Sequence, residues 1–151
     1  MAGTPITIRS RGAHADTSEH CILEIAANAN VGVELRGLEY SEGGTSGTAA
    51  RTRLRSTIGG TASDGTEGSE ATVSHGNPLN SHSIQTTARG VFTSNPSTTG
   101  EATGPFGGEA DPQRGLAKWT GYQIIPPGKT FRVYATAGAT NNFTLNANCE
   151  E

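Results

Sequence analysis

An apolar side chain at every second position is the strongest constraint in this sequence, and it is clearest near the end. Phe131, Val133 and Ala135 alternate with Arg132, Tyr134 and Thr136, and Phe143, Leu145 and Ala147 alternate with Thr144, Asn146 and Asn148. A period of two gives each strand one apolar and one polar face. Just upstream, Tyr122, Ile124 and Ile125 run into Pro126-Pro127-Gly128. The prolines cannot donate to a ladder, and Gly128 can take the positive φ that a tight turn uses. Residues 115–151 are therefore expected to form three strands joined by tight turns, a closing meander whose apolar side earlier strands must cover.

Those earlier strands have candidates. Cys21, Leu23, Ile25 and Ala27 alternate with Ile22, Glu24 and Ala26, and Val31, Val33 and Leu35 follow directly after Asn28-Ala29-Asn30. A helix over Cys21–Ala27 is the competing assignment, but the segment is short and the second alternation favours two strands with a tight turn between them. Leu38 and Tyr40 extend the second strand past a bulge expected at Gly37. Arg51, Arg53 and Arg55 then alternate with Thr52, Leu54 and Ser56 before Ile58, a strand carrying three guanidiniums on one face. Weaker signals at Val73, Leu79, Ile84 and Val91-Phe92 mark two or three short strands. The Gly/Ser/Thr-rich runs 41–49 and 59–70, and the run 100–115, read as loops. The sum is an all-β chain of about eight strands, an antiparallel two-sheet β-sandwich for which jelly-roll topology is the expectation.

In a jelly roll the first and last core strands lie side by side. That would set the strand around Cys21 beside Phe143–Cys149 and make the two cysteines neighbours. With no secretion leader in evidence, reduced thiols are expected over a disulfide. Residues 1–18, with Ile6 and Ile8 as their apolar pair, read as an extended N-terminal arm or an edge strand, leaving 19–151 as one domain.

Composition narrows the partners. Only 32% of the 151 residues are hydrophobic and 5% aromatic, while Gly numbers 21, so long loops around a thin core are expected. A net charge of −3 and a pI near 5.8 give no general drive toward nucleic acid. No run approaches the roughly 18 apolar residues of a membrane span. The expectation is a product made in a cytoplasm, with no direct nucleic-acid or membrane partner.

Gly128-Lys129-Thr130 looks like the end of a phosphate-binding loop, but Gln123 stands where the first glycine is needed and Pro126 and Pro127 remove two cradling amides. Gly44-Thr45-Ser46-Gly47 lacks the spacing of a nucleophile elbow. His14, Asp16, Glu19, His20 and Cys21 are the densest set of potential metal ligands, without the regular spacing of a knuckle or a helical pair. His75 and His82 flank a Pro-containing loop and read as surface residues. The chain is expected to be no enzyme and to carry no cofactor or metal. The alternating arginines remain, as a surface for carboxylates of a neighbouring subunit, since guanidinium pairs bidentately with carboxylate. The plainer reading of that face is a solvated one.

A thin-cored sandwich gains from burying surface against copies of itself. The run Ile22-Leu23-Glu24-Ile25-Ala26-Ala27, then Val31 to Leu38, the long Gly/Thr loop, the Arg-rich strand and the close Thr144 to Glu151 resemble the small jelly-roll virion proteins of tailed bacteriophages. The resemblance runs from Cys21 to the end, with 59–115 looser than the pattern. It implies a head decoration, or cement, protein: a homotrimer on the capsid exterior that binds the major capsid protein and stabilises the lattice. On that reading Arg9 and Arg11 of the arm, with Arg51, Arg53 and Arg55, meet acidic surface. The alternative is a tail-tip or fibre module that binds a host-surface saccharide through its long loops.

Overall fold

The computed structural model describes residues 3–13, 18–43, 52–61, 65–68, 71–110, 115–137 and 142–151. Among the described residues twelve strands form: β1 (Pro5–Ala13), β2 (Glu19–Ala26), β3 (Val33–Gly43), β4 (Arg53–Gly60), β5 (Thr66–Glu67), β6 (Ala71–His75), β7 (Thr87–Arg89), β8 (Phe92–Ser94), β9 (Ala102–Glu109), β10 (Leu116–Ile125), β11 (Thr130–Thr136) and β12 (Asn142–Glu150). Sheet A has the order β10-β3-β12-β1-β6 and sheet B the order β7-β2-β11-β4-β9, while β5 and β8 make a two-stranded ribbon. Every pairing is antiparallel. The protein is an all-β antiparallel sandwich of two sheets, as the alternation predicts.

The three closing strands fall where the sequence puts them, but they are not a meander. β10 and β12 belong to sheet A and β11 to sheet B. Pro126–Lys129 is the reason: Lys129 N donates to the Pro126 carbonyl (3.0 Å) with Gly128 at φ 73, a turn that lifts the chain across the sandwich. Gly128 N in turn donates to the Asn28 carbonyl (2.9 Å), so this crossing lies against the one from β2 to β3. That earlier connection is likewise a sheet change and not the hairpin expected after Ala27. The bulge expected at Gly37 is present beside it: Asn148 opposes Gly37 while Cys149 opposes Leu35, which leaves Arg36 as the extra residue.

Residues Pro5–Ala13, expected as an arm or an edge strand, run inside sheet A between β12 and β6. Ile6, Ile8 and Ser10 alternate inward, and the Ser10 hydroxyl donates to the Ile22 carbonyl of the facing sheet (2.6 Å). Thus β1, not the strand around Cys21, is the antiparallel neighbour of β12. Cys21 and Cys149 are both free and buried, in different layers: Cys149 in the core between the sheets, Cys21 against Phe92 and Tyr134. A bulge causes the separation. Val133 opposes Leu23 but Tyr134 opposes Cys21, so Ile22 is extra; it turns into the core and Cys21 turns out.

The core is the expected set of inward positions, with Ile8, Leu35 and Leu145 of sheet A meeting Leu23, Phe131 and Val133 of sheet B. The loop expectations fail in part: 41–43 continue β3, 59–60 close β4 and Thr66–Glu67 form β5. Within 100–115, Ala102–Glu109 is β9, an edge strand in which Pro105 is tolerated because one side of the strand is unpaired, and Phe106 fills the core. Between β4 and β9 the chain detours through residues 61–101, which add β6 to sheet A, β7 to sheet B, and the β5–β8 ribbon.

Candidate functional site

The outer faces of the two sheets hold the charged side chains. On sheet A the register aligns Thr72, Arg9, Asn146, Glu39 and Lys118 in one row across five strands. Arg9 Nε donates to Asn146 Oδ1 (2.9 Å), and Lys118 Nζ lies 3.2 Å from Glu39 with both side chains largely in solvent. Arg11 is exposed on the same face. At the end of β10, Tyr122 and Ile124 are exposed; the Tyr122 hydroxyl donates to Glu34 (3.1 Å) and the Arg36 guanidinium sits 4.9 Å from the Tyr122 ring centre.

Sheet B carries a matching row, Arg89, Glu24, Arg132, Thr57 and Thr103. Here the middle of the row, Glu24, Arg132 and Thr57, is buried, with Arg89 and Thr103 at its margins partly or fully exposed. Arg132 is 0% exposed. Its Nε donates to Glu24 (2.8 Å), Nη1 to Glu101 and to the Ser97 carbonyl (2.8 Å), and Nη2 to the Thr61 carbonyl (2.9 Å). Arg89 reaches the other oxygen of Glu24 (3.1 Å) and stacks over Phe92. The Tyr134 hydroxyl donates to Glu101 (3.1 Å). Burial alone pulls the Arg132 guanidinium toward its neutral form, but the bonds to Glu101 and Glu24 outweigh it and hold the group still more firmly protonated. Arg132 thus stays charged within the sandwich, held by two carboxylates and two backbone carbonyls.

What dries it is the detour after β4. Phe92 packs on Cys21 and Tyr134, and Asn95 bonds β2 as a strand would, accepting from Cys21 N (2.8 Å) and donating to the Glu19 carbonyl (2.8 Å). Gly65 sits at φ 88 with Ser94 and Pro96 so close that a Cβ would meet their backbone at 2.8 Å, so only glycine fits where the ribbon folds over.

The five arginines marked by the sequence do not converge. Arg9 and Arg11 lie on the outside of sheet A, Arg53 and Arg55 on the outside of sheet B, and Arg51 lies outside the described residues. Arg55 already holds a carboxylate: it forks onto Glu19 (2.8 and 2.6 Å) and stacks on Tyr134 at 4.1 Å. Arg53 is 3.4 Å from Glu109 and mostly exposed. Of the ligand-like run near Cys21, His14 and Asp16 lie outside the described residues, Glu19 is taken by Arg55, and Cys21 is sealed under Phe92. Among the described residues no group of three or more His, Cys, Asp or Glu gathers for a metal.

Glu24, Arg89, Glu101 and Arg132 are the residues that sequence reading passed over. A signal exists for two of them. Glu24 is the lone charge in Cys21–Ala27 and Arg132 the lone charge in Phe131–Ala135, and opposite lone charges in two apolar runs suit a buried pair. Comparison with family models, with characterised proteins and with solved structures finds no match to this chain.

Proposed function

We propose that this protein is a structural component of a virus particle, a capsid decoration protein that binds the shell as a homotrimer and stabilises it. The observation that carries the reading is the strand order. With β6 and β7 set aside as outer additions, the sheets read β10-β3-β12-β1 and β2-β11-β4-β9, first strand beside last and the chain changing sheet at every step except across the 61–101 detour. That is the arrangement expected of an eight-stranded jelly roll made of two Greek keys, the fold the resemblance implies. Supporting it, the buried charges of sheet B are spent on fixing the chain to itself, which suits a rigid building block.

Binding to a shell works through many joined contacts, each modest, because breaking one leaves the others in place. Arg9 and Arg11 on sheet A and Arg53 on sheet B are the cations offered to acidic partner surface. The second reading, a tail module that binds saccharide, has one observation in its favour: the exposed Tyr122 ring beside Arg36 and Glu34.

The test is incubation with expanded, undecorated heads of the parent particle. Saturable uptake with a raised head melting temperature, and a solution mass near three times 15.5 kDa, are expected. No uptake, together with binding on a glycan array that is lost in Tyr122→Ala, would replace this reading with the second.

A further inference from the structure

Residues 76–86 join β6, the edge of sheet A, to β7, the edge of sheet B, without forming a strand. The near end is tied to the sandwich by Gly76 N, which donates to the Pro5 carbonyl (2.9 Å). The turns that follow are shaped locally, with Leu79 N donating to Asn77 Oδ1 (3.0 Å) and His82 N to Asn80 Oδ1 (2.8 Å). Those bonds shape the strap but do not fasten its far half.

Glu151 does. Its carboxylate accepts from Gln85 N (2.9 Å), Thr86 N (2.9 Å) and the Thr86 hydroxyl (2.6 Å), with His82 Nε2 at 3.2 Å. The side chain is 1% exposed, although the strap it holds is mostly in solvent. Behind it the Glu151 backbone is fixed to sheet A, exchanging bonds with Thr4 (2.9 and 3.0 Å). Two successive amides and a hydroxyl aimed at one carboxylate form a compact anion nest, and such charge-assisted bonds are about twice as strong as neutral ones.

We propose that Glu151 is a latch: its charged carboxylate pins the 76–86 strap across the β6–β7 side of the sandwich, and loss of that charge frees the strap while both sheets stay folded. The titratable groups on the elements around it are His82 on the strap, His75 at the end of β6, Arg89 on β7, which is bound to Glu24, and Glu150, which is 3.5 Å from Arg36. None of them replaces the acceptor that Gln85 and Thr86 share.

Burial disfavours the Glu151 carboxylate, but the bonds from Thr86, Gln85 and His82 outweigh it and hold its pKa below the ordinary 4.5. A depressed carboxyl pKa stabilises above the unfolded value and loses that contribution as pH falls through the folded one. The latch is thus closed at neutral pH and opens in acid.

Amide hydrogen exchange resolved by residue tests this, on wild type, Glu151→Gln and Thr86→Val. At neutral pH the Gln85 and Thr86 amides should exchange about tenfold faster or more in Glu151→Gln, with the β12–β3 amides unchanged. Thr86→Val, which removes one bond of the set, should give a smaller increase at the same two amides. Acidified wild type should reproduce the Glu151→Gln pattern, after correction for intrinsic exchange, while the variant itself shows no further local change. The proposal fails if the two amides stay as protected in both variants as in wild type. It fails equally if they lose protection only together with the whole molecule.

Discussion

The outer faces of sheets A and B are built from the same kind of strand, yet the charged row of one stands in water and the middle of the other's is dry. Each carries a five-strand row with charges of both signs, Arg9, Glu39 and Lys118 on one and Arg89, Glu24 and Arg132 on the other. On sheet A the ion pair stands in water, where such contacts are worth about 0–1 kcal/mol. On sheet B the detour between β4 and β9 covers the middle of the row, and Arg132 bonds backbone carbonyls at 61 and 97 as well as two carboxylates. The lesson is that residue type does not decide what a charge does in a sandwich; the layer above it does. A buried ion network adds little net stability over an apolar layer of the same shape; what this one does is tie residues 61, 97 and 101 of the inserted segment to β11.

The contrast breaks most sharply at Arg132. Arg132→Met leaves Glu101 with no cation and Glu24 with Arg89 alone, and should cost about 3–5 kcal/mol in urea denaturation, whereas Arg9→Met on sheet A should stay within about 0.5 kcal/mol. Equal costs would mean the two rows are equally wet. Glu101→Gln keeps the shape but removes the charge that Arg132 and Tyr134 share, and should cost about 1.5–3 kcal/mol. A smaller loss, about 1 kcal/mol, is expected of Tyr134→Phe, which leaves Glu101 its bond to Arg132; double-mutant cycles with Glu101→Gln should show coupling between the two. The smallest expected effect is none at all. Burial pushes the Cys149 thiol up to about 12, and burial with the nearby Glu24 charge pushes Cys21 higher still, so neither should react with iodoacetamide at mildly alkaline pH in the native protein, and both should in denaturant. Selective labelling of Cys21 would place solvent over sheet B.

Much of the sandwich was legible in the sequence because inward positions keep period two: Ile6 and Ile8, Phe131 and Val133, Leu145 and Ala147 all point where the alternation puts them. Sheet membership was not legible. A tight turn such as Pro126–Lys129 looks the same whether it joins neighbours or carries the chain to the other sheet, and only the long-range partners of β10, β11 and β12 decide. The bulge at Ile22 hid as well, since Ile22 and Leu23 are both apolar and a one-residue slip between them leaves no trace until Cys21 is found on the wrong side. For the charged layer, the arginines at 53 and 55 stood out by spacing, while Arg132 passed as one polar position among others. Its burial depends on residues 61, 97 and 101, far away in the chain, and no local pattern records that.

The Arg132 guanidinium lies inside the protein although its strand position is outward. Solvent exchange of arginine Nε–H protons, followed by NMR at neutral pH, measures that directly. The account predicts a resonance for Arg132 Nε–H that persists long after those of exposed arginines such as Arg9 have exchanged, and that is lost in Arg132→Met. Exchange at Arg132 as fast as at Arg9 would contradict it.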